Sequence, residues 1–193
     1  ASSSGAVGSA QEFNGTSSHV TLGSPAALNF AGPITVSAWI HPQANDGCRN
    51  IVAHGYRLTP NRELFLRINA RKYQVGSWNG ADYVAQANMP AGDLNTWVLL
   101  TGVYDGAAWR LYRNGELLAS TTAGTGAISF DAPWAIGARG TGTERFFKGW
   151  IDDVAIWSRG LTAAEVKTLH DLGRQGGTLL AAPADSDVLT VKR

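Results

Sequence analysis

Short runs of apolar, β-branched and aromatic residues recur along the chain, many of them alternating with polar positions. Residues 10–13, 18–22, 34–41, 50–54, 63–69, 72–78, 82–87, 97–104, 108–113, 116–121, 133–137 and 147–157 each read as a strand. Turn dipeptides punctuate them: Asn14-Gly15, Asp46-Gly47, Asn79-Gly80, Asp105-Gly106 and Asn114-Gly115. The strongest hairpin joins 109–113 to 116–120 through Asn114-Gly115, a type I′ signal.

The most locally determined stretch is 147–169. In its strand, Ile151, Asp153, Ala155 and Trp157 fall on one face, and Trp150, Asp152, Val154 and Ile156 on the other. Both faces are mostly apolar, which predicts a strand covered on both sides and interrupted by two adjacent carboxylates. Thr162 then stands three residues before Glu165, a capping box, with Leu161 placed to staple onto Val166. Val166, Leu169 and Leu172 form a stripe and Gly173 reads as the stop, so a helix is expected over 162–172. It is the one convincing helix. Many short strands with one late helix predict an all-β, two-sheet antiparallel β-sandwich with one short C-terminal helix.

Composition narrows the classes. With 193 residues the chain suits one β domain, and a formal charge of +1 leaves no electrostatic footprint for nucleic acid. Cys48 is the single cysteine, so no disulfide framework forms within the chain. No apolar run reaches the roughly 18 residues of a membrane span. Residues 1–8 have linker composition, 9–175 form the expected domain, and 176–193 return to linker composition with Val188–Val191 as a candidate edge strand. A mature form or an excised domain is expected. Trp39, Trp97, Trp109, Trp150 and Trp157 sit in apolar-patterned strands and are assigned to the core.

Several blocks, in order, resemble the laminin-G-like, concanavalin A-like jelly-roll family. They are Ala10-Gln-Glu-Phe-Asn-Gly15, Ile34-Thr-Val-Ser-Ala-Trp-Ile40, Ile51-Val-Ala-His-Gly55, Trp97 through Gly106, Leu111-Tyr-Arg-Asn-Gly-Glu116, Pro133-Trp-Ala-Ile-Gly137 and the 147–169 segment. The resemblance covers roughly residues 8–170 and implies the fold; lectins, adhesion modules, glycosidases and lyases all use it. It also implies a structural calcium held by Asp152 with oxygens from Asn14 or Gly15. The opposing reading is that Asp152 accepts backbone hydrogen bonds without a metal. Relatives are often acidic after the opening turn, where this chain has Ser17 and Ser18.

A ligand surface is best sought in 67–88. Leu64, Leu66 and Ile68 pointing inward turn Arg67 and Asn69 outward, and Val75 inward turns Gln74 and Trp78 to that same face. Arg67, Asn69, Gln74, Trp78 and nearby Tyr83 combine aromatic faces with planar polar groups, the chemistry a sugar ring requires. The alternative is a solvated sheet with a loop-anchoring tryptophan. His19, His41, His54 and His170 lack zinc-ligand spacing; Arg49 stands beside Cys48, but an isolated loop cysteine reads as an ordinary thiol and not as a nucleophile. The glutamates Glu12, Glu63, Glu116, Glu144 and Glu165 are scattered, so the close acid pair of a retaining glycosidase is not found in the sequence. Arg62-Glu63-Leu64 and Arg71-Lys72-Tyr73 echo alginate-lyase motifs without their remaining segments.

The reading that best fits is non-catalytic recognition of an oligosaccharide or polysaccharide by a secreted or cell-surface bacterial protein. The domain would be an accessory to a tethered glycan-active catalytic domain. The competing readings are an adhesion or protein-interaction module, and a polysaccharide hydrolase or lyase.

Overall fold

The structure, a computed structural model, describes residues 2–56, 58, 61–122, 124–178 and 188–191. Its strands are β1 (Ser2–Ser4), β2 (Ser9–Asn14), β3 (Val20–Gly23), β4 (Ile34–Pro42), β5 (Cys48–Tyr56), β6 (Arg62–Asn69) and β7 (Lys72–Trp78). They continue with β8 (Asp82–Asn88), β9 (Val98–Tyr104), β10 (Trp109–Arg113), β11 (Glu116–Thr121), β12 (Trp134–Ile136), β13 (Lys148–Trp157) and β14 (Val188–Val191). The helix is α1 (Ala163–Arg174). One antiparallel sheet runs β1-β2-β13-β4-β9-β10-β11, with β14 pairing β13 beyond the end of β2; the other runs β3-β12-β5-β6-β7-β8. This is the expected two-layer sandwich.

Between the sheets lie Ile34, Val36 and Ile40 of β4, Val98 and Leu100 of β9, and Leu64, Leu66 and Ile68 of β6, all buried. Each such side chain contributes about 1.5–3 kcal/mol by leaving water. A second apolar layer forms on the outside of the first sheet. There Trp39, Leu99, Val103, Tyr112 and Trp157 pack with Leu161, Val166 and Leu169 around α1. Strands β4, β9 and β13 are therefore covered on both faces, one by the opposite sheet and one by this cluster, which is why they are apolar almost throughout.

Several expectations need correction. Strict alternation fails in β13: Asp152 pairs with Trp39 and Ala155 with Ser37, three steps on one strand against two on the other. That one-residue bulge, with Asp153 at φ 46°, resets the faces. Ile151, Val154 and Ile156 all reach the inter-sheet core, while Ala155 and Trp157 join the outer cluster. Gly173 does not stop the helix. The capping box at its start forms as expected, with Glu165 N donating to Thr162 Oγ1 at 3.2 Å and Thr162 N to Glu165 Oε2 at 2.7 Å. The stop is Gly176, at φ 77°, with Gly176 N bonded to Gly173 O at 3.0 Å and Gly177 N to Leu172 O at 2.9 Å.

Of the tryptophans assigned to the core, Trp39, Trp109 and Trp157 are buried, whereas Trp97 and Trp150 are half-buried at the surface; Trp134, not singled out, is buried. The lead-in is not loose linker, because Ser2–Ser4 pair with Ser9–Gln11. Val188–Val191 pair with Val154–Trp157, and the rest of the tail, 179–187 and 192–193, lies outside the described residues. The Asn114-Gly115 hairpin has both residues at positive φ, 52° and 83°, as a type I′ turn requires. Among the described residues no helix is long and apolar enough to cross a membrane.

Candidate functional site

Register across the second sheet sets out a row of polar residues. Asn50 on β5 pairs with Arg67 on β6, Arg67 with Gln74 on β7, and Gln74 with Gln86 on β8. Directly paired residues share a face, so all four lie on the outer face, away from the core. Arg67 Nε donates to Gln74 Oε1 at 2.7 Å, and Gln74 Nε2 donates to Gln86 Oε1 at 2.8 Å. The Arg67 guanidinium also lies over the Phe65 ring, 3.6 Å from its centroid.

A cleft of about 380 Å³ opens above this row, lined by Arg67, Asn69, Gln74, Asp82, Tyr83, Val84 and Gln86, with Thr121 of β11. Gly76, paired with Phe65 and with Val84, contributes no side chain to the neighbouring row and leaves the floor low there. Of the residues chosen from sequence, Arg67, Asn69, Gln74 and Tyr83 come together at this cleft. Tyr83 is half-buried and also packs against the inter-sheet core. Trp78 shares the outer face but is not among the lining residues. It stands four positions from Gln74, about 13 Å along the strand, and its indole N–H donates to Asn61 Oδ1 at 3.0 Å.

Asn50, Val84 and Gln86 escape the sequence reading, whereas alternation already turns Phe65 to this face and Asp82 falls within the 67–88 stretch. Alternation from Val75 across to β8 finds Gln86 once β7 and β8 are paired. Asn50 is hidden by the irregular register between Asn50 and Val52.

Next to the row is a cluster of ion pairs. Glu63, 1% exposed, binds Arg145 at 2.6 Å, and Glu144 binds Arg139 at 2.9 Å with Arg145 Nε at 3.8 Å. Both guanidinium groups lie over the Tyr56 ring. Two glutamates scattered in sequence thus meet at one arginine, which sequence spacing did not anticipate. Partial burial acts to raise the Glu144 carboxyl, but the Tyr56 hydroxyl, Arg139 and Arg145 outweigh it and hold it below its usual value. A glycosidase acid needs the opposite shift. Burial lowers the affinity of Arg67 for its proton, and burial raises the Cys48 thiol above its usual value, keeping it protonated.

The residues suggested for calcium do not form one coordination sphere. Asn14 pairs with Lys148, whereas Asp152 lies four residues further along β13, about 13 Å away. Asn14 Oδ1 already accepts from Thr16, Ser17 and Ser18 N–H at 2.9, 2.9 and 3.0 Å. Asp152 Oδ2 accepts from Val7 N at 2.8 Å. Gly15 lies at the Asn14 end, against Lys148. The donor set does not fit a single hard cation.

A family model described as the concanavalin A-like lectin/glucanases superfamily matches residues 14–167. Comparison with curated proteins finds no match. Among solved structures, domain 4 of AbnA, a GH43 extracellular arabinanase from Geobacillus stearothermophilus, was determined in complex with arabinotriose. It aligns at TM-score 0.62 and 20% identity, over 88% of this chain and 80% of that one. The CBM40 of Ruminococcus gnavus IT-sialidase, bound to α2,3 sialyllactose, aligns at TM-score 0.68 and 15% identity over 83% and 96%. A heptameric SAP-like pentraxin from Limulus polyphemus aligns at TM-score 0.63 and 19% identity over 93% and 92%. At these identities the likeness is one of fold.

Proposed function

Because the chain belongs to the concanavalin A-like lectin/glucanases superfamily, we propose that it is a carbohydrate-binding module whose ligand lies in the cleft above Arg67, Gln74 and Gln86. The observation that carries this reading is the hydrogen-bonded row of planar side chains crossing three strands beneath an open cleft. Fixed planar donors and acceptors suit the directional hydroxyls of a sugar, and the row is preorganised by its own bonds. The fold's occurrence in the arabinotriose and sialyllactose complexes supports the same reading.

Such a module works by holding an attached domain near a polymer. A single shallow cleft gives modest affinity, and tethering multiplies its effect. Service as an accessory to an exported glycan-active protein, bacterial in origin, follows from this reading and is part of the proposal.

Isothermal titration against arabinotriose, 3′-sialyllactose, oligogalacturonates and neutral cello- and xylo-oligosaccharides tests it, using the chain and its Gln86→Ala and Gln74→Ala variants. At least one saccharide is expected to bind, with about a tenfold or greater loss in the variants, the exposed Gln86→Ala at unchanged melting temperature. Absence of binding across the panel, or binding indifferent to both substitutions, contradicts the assignment.

A further inference from the structure

We propose that the glycan taken by this cleft bears a carboxylate, received by the two terminal nitrogens of Arg67; this deepens, and rests on, the carbohydrate-binding reading above. A guanidinium only donates hydrogen bonds. Gln74 must therefore turn its oxygen to Arg67 and its NH₂ to Gln86, and Gln86 must answer with its own oxygen. The orientation of both amides is fixed by Arg67. The relay ends with the Gln86 NH₂ as a donor at the exposed end of the row.

At the other end, Asn50 is fully buried and its Nδ2 has no hydrogen-bond partner among the described residues. The Arg67 Nε is used by Gln74, and neither terminal nitrogen has an acceptor among the described residues. Every unsatisfied group along the row is a donor. A ligand that completes it must bring acceptors.

Charge sharpens the argument. Arg67 is 8% exposed, and the partly shielded Arg145 and Arg139 of the neighbouring cluster each have a carboxylate: Arg145 has Glu63 and Arg139 has Glu144. Arg67 has an amide oxygen and an aromatic face instead. The nearby buried carboxylate, Glu63, is occupied by Arg145, and the other carboxylate at the cleft, Asp82, is exposed. A guanidinium removed from water without a counter-ion is costly, and a ligand carboxylate recovers that cost through a forked pair of charge-assisted bonds.

Uronic acids and sialic acids both supply this group, and matched pairs separate the two sources. Trigalacturonate against its fully methyl-esterified form and 3′-sialyllactose against lactose are titrated into the chain and into Arg67→Lys. One acid is expected to bind about tenfold or more tightly than its neutral counterpart. Arg67→Lys, which keeps the charge but loses the fork, should weaken the acid by a larger factor than its neutral partner, so that the preference for the acid falls. Equal affinity for acid and neutral forms, or binding of neutral saccharides alone, overturns the carboxylate assignment while glycan binding stands. Failure of every saccharide, in both this test and the wider panel, overturns the carbohydrate reading and this inference with it. The wild-type comparison remains decisive even if the substituted chain folds poorly.

Discussion

Gly173 lies directly against the indole of Trp39: a Cβ built there would come within 2.7 Å of the ring carbons. A glycine within a helix, here in the last turn of α1, usually costs stability, and replacement by alanine usually gains up to about 1 kcal/mol. Here the neighbour is a buried ring, 3% exposed, wedged between α1 and β4, and the overpacking term of about 1–3 kcal/mol wins. Gly173→Ala is therefore expected to destabilise the domain in urea unfolding, against the propensity scale. A gain in stability would show that the helix can lift off Trp39 at little cost.

Asp93 is the second such point. Its carboxylate, 2% exposed, accepts the Tyr73 hydroxyl at 2.9 Å and Arg113 Nε at 2.7 Å, with Arg113 Nη2 on its other oxygen. Burial, then Asp93 itself, pushes the Tyr73 hydroxyl far above its usual pKa. Asp93→Ala leaves Arg113 and a buried hydroxyl without their acceptor, and a loss of about 3 kcal/mol is expected by chemical denaturation. A loss under about 1 kcal/mol would mean that water replaces the carboxylate freely.

His54 sets an acid limit. It is stacked between Phe130 and Trp134, with ring centroids 4.1 and 4.4 Å away, and bonds Ala132 O at 3.1 Å. Burial lowers its pKa from 6.5 to about 4, against the smaller opposing effect of that bond. The unfolded chain thus takes up this proton first as pH falls. The contribution is complete above about pH 6.5 and is lost down to about pH 4, with a slope of at most about 1.4 kcal/mol per pH unit. Glu165, lowered from 4.5 to about 2 chiefly by its bond from Arg159, acts from about pH 4.5 downward and overlaps only the acid end of that window. His54→Phe is expected to flatten the unfolding free energy between pH 6.5 and 4. An unaltered slope in the variant would assign the effect to other groups.

Calcium is expected to leave stability unchanged. Since Asp152 and Asn14 are engaged separately at different points along β13, melting temperatures in chelator and in millimolar calcium should coincide. A metal that bound the folded state would raise the melt by mass action. A rise of several degrees with calcium would require a site built from other oxygens.

What the sequence reveals and what it hides divide along a physical line. Strand limits follow from local punctuation, and the helix start from Thr162 and Glu165, which lie three residues apart and satisfy each other. Arg67 and Gln74 were found on one face because alternation is itself local. The Asp153 bulge needs the pairing of β13 with β4, and Gly173 needs Trp39, more than a hundred residues away. Glu63 and Arg145 likewise meet only through the fold, as do Asn50, Arg67, Gln74 and Gln86 in their row. Trp78 shares the outer face and pairs with Asp82 at the cleft, but its indole N–H is held by Asn61, a contact that facing alone does not reveal.

The direct test of the binding surface is a side-chain-resolved ¹H–¹⁵N titration of the chain with trigalacturonate, 3′-sialyllactose and arabinotriose. The account predicts that the amide NH₂ signals of Gln74 and Gln86 and the Nε–H of Arg67 shift together, saturating at one affinity, while the Trp39 and Trp97 indoles on the opposite sheet stay still. Shifts centred on those indoles, with the Arg67 row unmoved, would contradict it.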